Sequence, residues 1–147
     1  MTDGSTRLEI GRLTGLLGEG FRVKDQGSEW EVDDARGCAV VWVQAAEGTV
    51  TAEYRLHWKS DSPEPPSGEQ LEELQRQAAD DFDRSTLPAW RAAGFVRIQE
   101  EDEEDWRGPD EEYVFTFWMK KEIRSDDEAA DAIRWVKEQE PNGWISL

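Results

Sequence analysis

Thr49–Trp58 reads T-V-T-A-E-Y-R-L-H-W, and its strict alternation decides the fold class. Val50, Ala52, Tyr54, Leu56 and Trp58 fall on one side, with Thr51, Glu53, Arg55 and His57 on the other. A period of two with one apolar side is the signature of a strand lying on a core. Upstream, Cys38–Gln44 is a continuous β-branched run (Val40, Val41, Val43), as expected of a strand covered on both faces. Phe21–Lys24 and Glu29–Val32 flank the turn-forming Asp25–Gly27 and read as a first strand or hairpin. Downstream, Phe95–Gln99 and Tyr113–Ile123 read as two further strands.

Helical periods separate these stretches. Thr6 and Glu9 form a T-x-x-E capping box ahead of Ile10, Leu13, Leu16 and Leu17, and Gly18 and Gly20 end that helix. Leu71, Leu74, Ala78 and Phe82 make a second stripe. Pro88 bars its smooth continuation but suits the first turn of a new piece, capped by Ser85 or Thr86, that carries Trp90 and Ala93 and stops at Gly94. Ser125 and Glu128 give another capping box, S-x-x-E, before the stripe Ala129, Ala132, Ile133, Val136, which Pro141–Gly143 closes. Ser60–Ser67, S-D-S-P-E-P-P-S, excludes both helix and ladder. It is short enough to be a connection within a domain. The expectation is a single α+β domain spanning 1–147, ordered α-β-β-β-α-β-β-α, with a mostly antiparallel five-stranded sheet packed against helices.

Composition bounds the function. The 147 residues carry 34 acids against 17 bases, a net charge of −17. Binding phosphates needs clustered cations, so nucleic acid and anionic membrane surfaces are disfavoured as partners. The acidity fits solubility, a basic partner or a saline cytoplasm. One cysteine leaves no internal disulfide to form, the N-terminal residues lack a signal-peptide pattern, and no run is long and apolar enough for a bilayer. A cytoplasmic protein is expected.

Catalytic motifs are absent. His57 is the sole histidine, lies on the polar side of the best strand without a nucleophile elbow, and is expected to be exposed and structural. Cys38 is expected to pack as a small hydrophobe. The run Glu100, Glu101, Asp102, Glu103, Glu104, Asp105 reads as a solvated loop held open by repulsion, or as a cation site or docking patch for a basic partner. Its spacing lacks the ligand alternation of a calcium loop. No metal site, cofactor or catalytic residue is expected.

The aromatics carry the remaining signal. If Val41 and Val43 face the helices, Trp42 faces away with Val40. If Phe115 and Phe117 face the helices, Trp118 faces away with Val114. Two tryptophans on an outer face would form an apolar patch that a soluble monomer seldom leaves bare, either a binding surface or a surface covered by a dimer partner, a loop or Trp144 and Ile145.

This element order, from Thr6 to about Gln139 in an acidic chain of this size, resembles the small secretion-chaperone fold. Type III secretion chaperones and YbjN-like proteins share that fold. The resemblance lies in order, size and charge, with no diagnostic motif. It implies a homodimer that holds an extended peptide by apolar contacts and strand addition, without chemistry. The alternative expectation is an acidic immunity or antitoxin-like inhibitor that docks on a basic partner such as a nuclease toxin.

Overall fold

The computed structural model describes residues 8–145; Thr6 of the first capping box lies outside them. In chain order the elements are α1 (Ile10–Leu17), β1 (Phe21–Asp25), β2 (Trp30–Asp34), β3 (Ala39–Gln44), β4 (Thr49–Lys59), α2 (Gly68–Asp81), α3 (Leu87–Ala92), β5 (Val96–Arg97), β6 (Glu103–Arg107), β7 (Glu112–Glu122), α4 (Asp126–Gln139) and β8 (Asn142–Trp144). The fold is α+β with a mostly antiparallel sheet in the strand order β1-β2-β3-β4-β7-β5. Along this sheet β6 pairs with β7, and β8 pairs with β4.

Among the described residues eight strands replace the expected five. The first alternating stretch is a true hairpin, β1 on β2. The acidic run contains β6, and the segment after the last helix contains β8, parallel to β4. Conversely, Phe95–Gln99 shrinks to a two-residue strand, because Gln99 already enters a 3-10 turn.

The chain forms two compact units, and β4 and β7 each contribute to both. In the first, α1 packs on α4 and β1, and α4 packs on β3. Leu13, Val32, Val41, Val43, Val50, Met119, Ile133 and Val136 are completely buried there. The α1 stripe is therefore read correctly. Glu9 is the N-cap, and its own backbone N–H donates to Asp126 Oδ1 of α4 at 3.2 Å. Arg12 reaches Asp126 and Asp127 at 3.9 and 3.4 Å, so the start of α4 holds the start of α1. The second box is local as expected. Glu128 N–H donates to Ser125 Oγ at 3.1 Å, and the Glu128 carboxylate accepts from Arg124 N–H at 3.2 Å.

In the second unit, Leu74, Ala78 and Phe82 of the α2 stripe are buried, and Leu71 is half-buried. Pro88 does not break the rod. Phe82–Thr86 forms a π-helical turn that absorbs the misfit, and the proline sits in the first turn of α3. Phe82 stacks on Phe117 with centroids 4.2 Å apart and planes 8° apart, and Trp90 meets Phe95 edge-on at 5.0 Å. The proline-rich connection 60–67 lies inside this unit, where Ser60 N–H donates to Glu111 O at 2.8 Å. Among the described residues, no helix is long and apolar enough to cross a membrane.

Candidate functional site

The acidic run is the feature most changed by folding. Instead of a loop, Glu103–Arg107 is a strand registered on β7, with Glu103 opposite Thr116, Asp105 opposite Val114 and Arg107 opposite Glu112. Among the described residues β6 pairs with β7 alone, so its other edge presents unpaired backbone donors and acceptors. Glu100 through Asp105 are all exposed.

Period two divides β6 into two sides. Glu104 and Trp106 lie with Phe115 and Tyr113, their cross-strand partners. Glu104 accepts hydrogen bonds from Gln75 Nε2 of α2 and from Tyr113 Oη, all at 3.0 Å, and Trp106 lies 6.4 Å from the Tyr113 ring. Burial, then the hydrogen bond and charge of Glu104, push the Tyr113 phenol up to about 12. Glu103 and Asp105 occupy the opposite side, both exposed, and on that side Arg107 Nε lies 3.6 Å from Asp105 Oδ2.

What fixes the start of this strand is Arg97. Its guanidinium bridges Asp83 of the π-helical turn at 2.9 Å and Asp102 at 2.6 Å. It also lies over the rings of Phe82 and Phe117, 5.3 and 5.1 Å from their centroids. No local pattern marks Arg97 for this role, because its four contacts come from three separate parts of the chain.

The face-centred expectation changes. Trp42 of β3 and Trp118 of β7 are half-buried, the former in the first unit and the latter in the second. Their companions are not surface residues: Val40 is 7% exposed and Val114 only 1%. Period-two counting gives the side of a strand a residue takes but not what covers that side. Among the described residues the large exposed apolar side chains are instead Val96 and Trp144.

His57 and Cys38 also differ from expectation. The His57 side chain is only 13% exposed, paired with Glu112 of β7 through Nδ1 and with Asn142 Oδ1 of β8 through Nε2 at 3.0 Å. The Trp144 ring lies 5.1 Å from it. This constellation ties β8 to β4 and β7. Cys38 is exposed, since it precedes β3 in the turn after β2 and does not lie within the strand.

A second polar constellation lies in the first unit. Asp34, buried, accepts from the backbone N–H of Arg36 and Cys38 at 2.9 and 3.0 Å and from Lys137 Nζ at 2.7 Å. The Lys137 ammonium chiefly, then these N–H groups and the Arg36 guanidinium, hold its carboxyl well below the usual range, outweighing the opposite effect of burial. Asp33 beside it pairs with Lys24 at 2.7 Å. Both carboxylates border a hollow of about 460 Å³ beside β1. Asp34 is saturated by its own turn, so its role there is to hold the turn after β2. No protein-family model, curated protein or solved structure matches the chain.

Proposed function

We propose that this chain is a non-enzymatic binding module that takes an extended segment of a basic protein or peptide onto the open edge of β6. The reading follows the strand-addition mode implied by the resemblance of the sequence to small secretion chaperones in size and charge. The observation that carries it is the pairing of Glu103–Arg107 on one side only, with exposed carboxylates along it. Main-chain hydrogen bonds along the edge supply affinity, and carboxylates at Glu103 and Asp105 select cations at alternate positions of the ligand. The edge is a better candidate than the sheet face, because Val40 and Val114 are buried.

A Lys-Val-Lys-Val-Lys peptide labelled at its end tests the proposal by fluorescence anisotropy. Binding is expected, falling at least tenfold when Glu103 and Asp105 are both changed to Lys. Methylation of alternate backbone nitrogens of the peptide preserves charge but removes donors, and is expected to weaken binding as much. Equal binding of the methylated peptide would sink strand addition. It would favour the second reading, an inhibitor of the immunity type that docks by charge through the exposed Glu100–Asp105 run on a basic partner such as a nuclease toxin.

A further inference from the structure

At the opposite end of the strand order, β1 is also an edge strand: among the described residues it pairs with β2 alone. Its sequence, Phe21-Arg22-Val23-Lys24-Asp25, exposes Arg22 and Lys24, two cations at alternate positions, of which Lys24 also pairs with Asp33 at 2.7 Å within its own copy. That is the pattern which the edge of β6 selects, displayed by a protein of net charge −17 whose bases are outnumbered two to one.

The two edges also match in pleat. Arg22 and Lys24 project on the side of β1 shared with Asp33 and Glu31, their partners on β2, and Phe21 and Val23 on the other side. On β6, Glu103 and Asp105 share one side, with Glu104 and Trp106 on the other. In an antiparallel register that sets Lys24 opposite Glu103, Arg22 falls opposite Asp105 and Phe21 opposite Trp106. One register thus aligns two cation–carboxylate pairs and one aromatic pair, and also sets Val23 opposite Glu104 and Asp25 opposite Asp102. Such cross-strand pairs are the units of sheet stabilisation. By contrast, pairing β6 with another β6 would bring carboxylates face to face.

We infer that β1 of a second copy of this chain occupies the β6 edge when no partner does, joining copies head to tail. The inference rests on the reading of β6 as an acceptor of extended basic segments. The contact is heterologous, with different surfaces on the two copies, so it is not the symmetric pair of a twofold dimer. It is also weak. Exposed ion pairs contribute little each, and the net charges of the two copies repel until salt screens them beyond about 8 Å at physiological ionic strength. A basic partner can therefore displace it.

Sedimentation velocity at about 0.15 M salt, with the Debye length then near 8 Å, tests the inference through two charge-swapped variants. Arg22→Glu with Lys24→Glu makes both edges acidic, and Glu103→Lys with Asp105→Lys makes both basic. The wild-type sedimentation coefficient is expected to rise with concentration into the millimolar range. Each variant alone is expected to lose that rise, and an equimolar mixture to regain it, because an acidic β1 then meets a basic β6. A wild type that stays monomeric throughout, or a mixture that fails to associate, overturns the inference. The first variant keeps a native β6, so its binding of the Lys-Val-Lys-Val-Lys peptide reports separately on the proposed function. Peptide binding without self-association removes only the second copy, and loss of both removes the shared basis.

Discussion

Arg97 Nη2 stands 2.6 Å from Asp102 Oδ2, and Asp102 is the residue immediately before β6. Through this pair, and through Asp83, one guanidinium couples the π-helical turn to the strand whose edge is open. Replacing Arg97 with Met keeps bulk over Phe82 and Phe117 but removes both charge-assisted bonds, for an expected loss of about 1–3 kcal/mol. Urea denaturation measures that loss. Native-state hydrogen exchange should show it concentrated at Glu103–Arg107. Arg97→Lys restores the charge without the planar fork and should recover only part of it.

Tyr113 reports on β6 from the neighbouring strand. Its phenol is pushed up to about 12, first by burial and then by Glu104. A raised phenol favours the neutral form, so its contribution to stability is full below about pH 10 and lost as pH climbs through the folded value. Absorbance titration should show Tyr113 ionising late. Glu104→Gln should bring that late ionisation down, and an unchanged titration would show that β6 does not seat as described.

Asp34 makes the first unit sensitive to acid. Its carboxyl is depressed chiefly by Lys137, so the folded state resists protonation where the unfolded chain, with a carboxyl near 3.9, does not. The resulting stability is fully present above about pH 4 and declines as pH falls below it. Lys137→Met should cost about 1–3 kcal/mol at neutral pH by removing a charged hydrogen bond from a buried carboxylate. The gap between variant and wild-type urea midpoints should narrow on acidification.

Gly143 is required by close approach. A Cβ there would lie 2.7 Å from Tyr54 Oη and 2.9 Å from Leu56 Cδ2, both on β4. Gly143→Ala should therefore lift β8, costing about 1–3 kcal/mol as overpacking does. The loss should appear first as faster exchange of the Ile145 amide, which donates to His57 O at 2.9 Å.

The sequence was most legible where one period ran long against a single core. β4, β7 and α4 lie where alternation and the stripe Ala129, Ala132, Ile133, Val136 place them. Three features escaped for physical reasons. β6 is built from Glu and Asp, residues of low strand propensity that an edge nonetheless tolerates because water solvates its free side. The residue before α1, Glu9, is held by Asp126, more than a hundred residues away, where no local pattern points. His57 sits on the polar side of its strand as counted, yet Glu112 and Asn142 arrive from β7 and β8 to enclose it. Of the candidate site, the carboxylates were visible in sequence. Their placement on a strand edge, the burial of Val40 and Val114, and the clamp by Arg97 were not.

The most direct measurement is amide hydrogen exchange at Glu103–Arg107 with and without saturating Lys-Val-Lys-Val-Lys peptide. Strand addition predicts that amides on the open edge of β6 slow at least tenfold while the rest of the sheet is little changed. Peptide binding that leaves those amides exchanging at their original rates would contradict the account.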